Sequence, residues 1–156
     1  MTRKEIDIEA TVATLNRILE LELAGVVRYT HYALMVFGHA RIPIVAWLRS
    51  QAKESLGHAD EVGEMITALG AHPSLAMGPL LETYRHEIDD ILAESQAHER
   101  VALDHYNELL SRVEGRSVFL EEFARRMIHE EERHYDEVNK MLRKPGDLSA
   151  SAAGAG

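Results

Sequence analysis

The chain has 156 residues and no cysteine, which allows one domain with a sizeable core and excludes a disulfide scaffold, a thiolate metal site and a cysteine nucleophile. With 17 Lys and Arg against 26 Asp and Glu, its net charge is −9, the wrong sign for nucleic acid and a mild attraction for cations. Apolar residues reach 46% while aromatics are only 6%, so the core must be Leu, Ala, Val, Ile and Met, and no stretch is apolar for long enough to span a membrane.

The start, MTRKEIDIEA, is charged and lacks the apolar region of a signal peptide, so a cytoplasmic protein is expected. Four proline-free segments follow, over 7–37, 44–69, 84–113 and 117–142, and each spaces its apolar residues by alternating threes and fours, the signature of a helix in a bundle. The first seam reads Leu15, Ile18, Glu22, Gly25, Tyr29, Val36; the second Leu48, Gln51, Ser55, His58, Val62, Met65, Leu69. The third reads Ile88, Leu92, Ser95, Glu99, Ala102, Tyr106, Leu109, Val113; the fourth Leu120, Ala124, Met127, Glu131, His134, Val138, Met141. No segment alternates with period two. The expected fold is all-α, with four helices over residues 1–142 and a flexible small-residue tail over 143–156.

Short links at 38–43 and 114–117 make helices one and two, and three and four, antiparallel pairs. The link at 70–82 is longer. Its 12–13 residues, at about 3.3 Å each, can run back along a helix of roughly 40 Å. Helices two and three are then parallel, joined by a long crossover, which is the ferritin-like arrangement among four-helix bundles. The chain also repeats itself weakly. HADEV at 58–62 matches HYDEV at 134–138, and Glu22 with Tyr29 matches Glu99 with Tyr106, at offsets of 76 and 77. Two helix pairs related by a pseudo-two-fold axis are implied.

Every seam carries a polar interruption near its middle: Glu22; His58, with Glu54 one turn before it; Glu99; Glu131 with His134. A buried carboxylate without compensation costs several kcal/mol, about what pairing or metal coordination relieves. A single Glu in an apolar stripe is ordinarily a boundary or salt-bridged residue, and Glu-x-x-His is common in a charged helix. The joint pattern is less ordinary. The four helix midpoints share one height in such a bundle, so Glu22, Glu54, His58, Glu99, Glu131 and His134 converge on a central layer fit for a pair of metal ions. Carboxylate oxygens with one imidazole per metal suit Fe(II), Fe(III) and Mn(II); zinc would bind adventitiously. Tyr29 and Tyr106 lie two turns from Glu22 and Glu99, either as core packing or as partners of the site. His98, beside Glu99, is either a supporting or proton-shuttling neighbour of the site or, as the commoner case, an exposed histidine flanking the seam.

The segments LNRILELELAGVVRYTHY, ESLGHADEV and EEERHYDEV resemble the bacterioferritin branch of the ferritin-like di-iron carboxylate superfamily, over about residues 10–142. The resemblance implies Glu22 and Glu99 as terminal ligands, Glu131 as a bridging carboxylate, and His58 and His134 as the two histidines. It implies two iron ions, oxidised with oxygen or peroxide, hence a ferroxidase-type oxidoreductase serving iron storage or detoxification. At such a site Tyr29 would either hydrogen-bond a terminal carboxylate or supply an electron. The resemblance also implies a homo-oligomer, at least a dimer. Three positions depart from the family. Ser55 stands where the family has its second bridging Glu, so either Glu54 completes that half or one bridge is missing. Leu56 replaces the methionine that holds haem, so no haem is expected. RKPGDLSASAAGAG offers nothing apolar for a fifth helix, which leaves a 24-subunit shell open. Alternatives are a di-iron or di-manganese protein that reduces peroxide without storage, or a helical interaction module without turnover.

Overall fold

The computed structural model describes residues 5–149. Four helices, α1 (Ile8–Met35), α2 (Arg41–Ala68), α3 (Ile88–Val113) and α4 (Val118–Leu142), account for the regular structure, and no strand occurs among the described residues. Their starts follow local chemistry. Asp7 accepts a 3.0 Å hydrogen bond from the Ala10 N–H, and Ser117 accepts one from Leu120 at 3.4 Å, each satisfying a donor that the first turn leaves orphaned. Replacing Asp7 by Ala should cost about 1 kcal/mol, or roughly 2–4 °C of melting temperature by calorimetry.

Two boundaries differ from the sequence reading by three residues or more. Helix α2 begins at Arg41 rather than 44, because Pro43 falls in the first turn, where its missing N–H has no intrahelical partner to lose. Helix α3 begins at Ile88 rather than 84; Tyr84 adopts φ +54°, a left-handed conformation that no helix interior accepts. The crossover therefore extends to residue 87. Beyond Leu142, Asp147 N–H bonds the Lys144 carbonyl in a turn containing Gly146. The remainder of the expected tail, 150–156, and residues 1–4 lie outside the described residues.

The crossover climbs the side of α1. Ser74 N–H donates to the Asn16 side chain at 2.7 Å, and Gly78 N–H to the Glu20 carbonyl at 2.9 Å. Further up, Thr83 and Tyr32 both bond the Glu94 carboxylate. Gly78 suits this close approach: a Cβ there would lie 3.0 Å from the Glu20 carbonyl oxygen, tight enough to push the two segments of chain apart by a few tenths of an ångström. The chain thus returns to the other end of the bundle before α3 starts. Side-chain pairs give the directions. Arg41 reaches the Ala33 and Val36 carbonyls while His58 faces Glu22, so α1 and α2 are antiparallel. Tyr29 meets Glu99 and Glu22 meets Tyr106, so α1 and α3 are antiparallel as well. Helices α2 and α3 are consequently parallel.

The apolar core comes in two pieces. One gathers Leu15, Ile18, Val62, Ile66, Leu109, Val113, Leu120, Phe123 and Met127 from all four helices. The other gathers Tyr29, Tyr32, Val36, Leu48, Ala52 and Ile91 from the first three. Between them lies a polar layer formed by Glu22, Ser55, His58, Glu99 and Glu131, all buried. Each piece buries enough hydrocarbon to hold its end of the bundle, so the layer between them is free to serve chemistry instead of cohesion.

Candidate metal centre

The seams place the interrupting residues on the inward stripe of each helix, and the similar helix lengths, 25 to 28 residues, bring them to one level. Glu22, His58 and Glu131 offer ligand atoms within 4.8 Å of one another, and so do Glu99, Glu131 and His134. The two groups share Glu131. His58 Nδ1 lies 3.6 Å from a Glu22 oxygen and 3.6 Å from a Glu131 oxygen, and His134 Nδ1 lies 3.8 Å from Glu99 Oε2. His58 Nδ1 and Glu99 Oε2 are buried without a hydrogen-bond partner. Buried polar atoms are rarely left so. Each lies in one of the two ligand groups, and both fit the demand of metal ions for lone pairs.

The remaining atoms of these side chains are pinned. Tyr106 donates to Glu22 Oε1 at 2.7 Å, and Tyr29 donates to Glu99 Oε1. Burial first, and then the facing carboxylates, push both tyrosine hydroxyls well above the usual phenol range, so each stays a donor. On the histidines the outer nitrogens are taken. Glu130 holds His58 Nε2 at 2.9 Å, and Glu54 holds His134 Nε2 at 2.7 Å. A carboxylate on Nε2 keeps a hydrogen there and turns the Nδ1 lone pair inward, the usual way a ligating imidazole is oriented.

The placement of Glu54 departs from the sequence reading, which set it beside His58. It sits on the half-exposed flank of α2, and its ion pair crosses to His134 on α4. The physical reason is the register: Ser55, not Glu54, lies on the buried stripe, so the longer side chain reaches the far nitrogen of the opposite histidine. Glu130 was not singled out by the sequence reading, yet the repeat contained it, since the offset that carries His58 to His134 carries Glu54 to Glu130. His98 is half-buried rather than exposed, with its ring edge-on to Tyr29. Burial, aided by the Arg28 charge, lowers its pKa to about 4, so it is neutral at physiological pH. Leu56 lies exposed on α2.

The charges within the layer oppose one another. Burial and the adjacent Glu99 and Glu22 raise the Glu131 pKa well above the carboxylate range. For His58, burial pulls downward, but the Glu22 and Glu130 carboxylates outweigh it and the net shift is upward. A bound cation would oppose both upward shifts. Removing the Glu54 charge while keeping its shape, in Glu54→Gln, should weaken the ion nearest His134 by about 10–100-fold and spare the one nearest His58. Metal titration of the two variants, Glu54→Gln and Glu130→Gln, should show opposite halves affected.

Among known proteins, the ferritin-like domain model matches residues 12–146. A ferritin-like di-iron-carboxylate protein from Bacillus anthracis is 22% identical, with a TM-score of 0.80 over 88% of this chain and 98% of that one. The dodecameric thioferritin of Bacteroides fragilis, a bacterioferritin-related protein, is 23% identical, with a TM-score of 0.83 over 88% and 87%. Rhodobacter capsulatus bacterioferritin is 22% identical, with a TM-score of 0.74 over 89% and 86%. At such identities the likeness to these structures is one of fold, in keeping with the branch that the sequence resembles. No curated protein matches the chain. With its family model spanning all four helices, the chain belongs to the ferritin-like domain family.

Proposed function

We propose that the chain takes up two Fe(II) ions in the central layer and oxidises them with oxygen or peroxide. The observation that carries this reading is the shared carboxylate: two ligand groups, each with its own Glu and His, meet at Glu131, while His58 Nδ1 and Glu99 Oε2 lie buried and unpartnered beside it. Glu22, His58 and Glu131 would hold one ion, and Glu99, Glu131 and His134 the other. Two Fe(II) supply the two electrons that, with two protons, convert dioxygen to peroxide or peroxide to water.

The chain's own residues prepare the layer for that task. Glu130 and Glu54 fix the imidazoles with Nδ1 inward. Tyr106 and Tyr29 hold one oxygen of each terminal carboxylate, which leaves Glu99 Oε2 free on the inner side. Cations compete with protons for Glu131 and His58, whose pKa values the fold raises, which couples uptake to pH. The apolar pieces above and below exclude bulk water. Tyr29, bonded to Glu99, would pass an electron or a proton to the layer, a contact that Tyr106 mirrors on Glu22.

Self-association belongs to the same reading, supported by the exposed apolar residues Leu75, Met77, Leu80 and Leu81 along the crossover. The deciding experiment is anaerobic Fe(II) titration followed by oxygen or peroxide. Two Fe(II) bound per chain, oxidised together, is the expected result. A chain that binds no Fe(II) in stoichiometric amount would defeat the proposal.

A further inference from the structure

The repeat that relates the two helix pairs breaks at one charged residue outside both ligand groups. The offset that carries His58 to His134 also carries Trp47 to Phe123, Glu54 to Glu130 and Glu61 to Glu137. It carries Ser50 to Arg126. Both α2 and α4 thus set an aromatic residue three positions before this site and a carboxylate four positions after it. Only α4 has a cation between them.

Arg126 is held on three sides. Its guanidinium lies over the Phe123 ring, 5.5 Å from the centroid, and pairs with Glu61 across on α2. One guanidinium nitrogen lies 3.5 Å from Glu130 Oε1, while the other oxygen of Glu130 holds His58 Nε2 at 2.9 Å. A line of alternating charge therefore runs from Arg126 through Glu130 to the imidazole that faces Glu22 and Glu131. The other half lacks its first member. Glu54 holds His134 Nε2 at 2.7 Å, but forms an ion pair with no Lys or Arg among the described residues. Ser50, standing where the arginine would be, donates its hydroxyl to the Trp47 carbonyl at 2.6 Å.

A carboxylate on the outer nitrogen makes an imidazole a better donor to a metal. A guanidinium, which stays charged at any working pH, cancels part of that effect and repels an arriving cation. We propose that Arg126 is a positioning residue of the centre: by holding Glu130 and offsetting its charge, it makes the position of Glu22, His58 and Glu131 take its divalent cation after the position of Glu99, Glu131 and His134. This rests on the two-metal reading above. Arg126 belongs to neither ligand group, and its side chain is 46% exposed, so solvent screens its charge. The effect on affinity is about three- to tenfold, below the roughly 10–100-fold of a direct imidazole partner.

Cobalt(II) titration of the full chain reads the two binding steps without turnover, and crystals grown with one equivalent locate the first ion by anomalous scattering at the cobalt edge. Two steps are expected, with the first ion beside His134. Arg126→Gln should tighten the second step by about three- to tenfold, while Arg126→Lys, which keeps the charge, should preserve the order. An arginine that merely braced Glu130 would give the opposite sign, a looser second step. Ser50→Arg supplies α2 with the missing cation at an exposed position and should loosen the first step. A first ion found beside His58, or a second step that Arg126→Gln leaves unchanged or looser, overturns the role of Arg126 while the metal centre stands. A Ser50→Arg chain with an unchanged first step overturns it too. No Co(II) bound at all overturns the two-metal reading and this inference with it.

Discussion

Glu131→Ala is expected to lose both metal ions, whereas Glu22→Ala and Glu99→Ala each lose one. The difference follows from membership. Glu22 offers a ligand atom only with His58, and Glu99 only with His134, but Glu131 belongs to both groups. Loss of a partner that merely orients a ligand costs about 10–100-fold in affinity, and loss of a shared direct ligand should exceed that for each ion. The fold should survive. The two apolar pieces of the core do not include Glu131, and its removal relieves the burial of a carboxyl group among the Glu99 and Glu22 carboxylates that together raise its pKa. The check is the number of Fe(II) ions bound under anaerobic dialysis, read beside far-ultraviolet circular dichroism. A Glu131→Ala chain that keeps two ions at parental affinity would remove the shared carboxylate from the centre and with it the proposed pairing.

How much of this was legible beforehand varies residue by residue. The seams were the most readable feature: Leu15, Ile18, Glu22, Gly25 and Tyr29 are all buried, as are Leu48, Gln51, Ser55, His58 and Val62. A helix turns by a fixed angle per residue, so a three-four rhythm states directly which side chains share a stripe. The height of the polar layer was legible for a related reason, since helices of similar length align their midpoints. What periodicity cannot supply is the reach of a side chain off the stripe. Glu54 and Glu130 lie beside it, and only the spacing between α2 and α4 decides that each bonds the histidine of the other helix. Nor does it supply the start of α3, because Tyr84 and its neighbours belong to the crossover through contacts with α1 and Glu94, not through their own pattern. His98 illustrates a third limit. Its position beside the seam is ambiguous on one helix and becomes half-buried only when Gly25 of α1 lets the helices close.

The metal-free chain should melt lower as pH rises from 6.5 to 8.5, and metal should reverse that slope. Glu131 and His58 both have pKa values raised in the folded chain. A raised group contributes stability that is fully present below its unfolded pKa, near 4.3 for Glu and 6.5 for His, and lost as pH climbs through the folded value. Where the folded chain holds one more proton than the unfolded one, stability falls by about 1.4 kcal/mol per pH unit. For a chain of this size, that is roughly 3–5 °C per unit. His98 works in the opposite direction, because its pKa is lowered to about 4; its contribution grows from there to about 6.5 and is flat above, which is why the window starts at 6.5. Carboxylates lowered by exposed ion pairs, such as Glu108 beside Arg112, have finished titrating well below it. Bound cations need the ionised carboxylate and the free imidazole lone pair, so they displace these protons and bind more tightly as pH rises. At about a thousandfold excess over the dissociation constant they add roughly 4 kcal/mol, near 8–16 °C. Scanning calorimetry with chelator and with excess Mn(II) at three pH values should give slopes of opposite sign. A metal-free melting temperature that rises across the window would mean that Glu131 is ionised in the fold, compensated by a charge other than a bound cation.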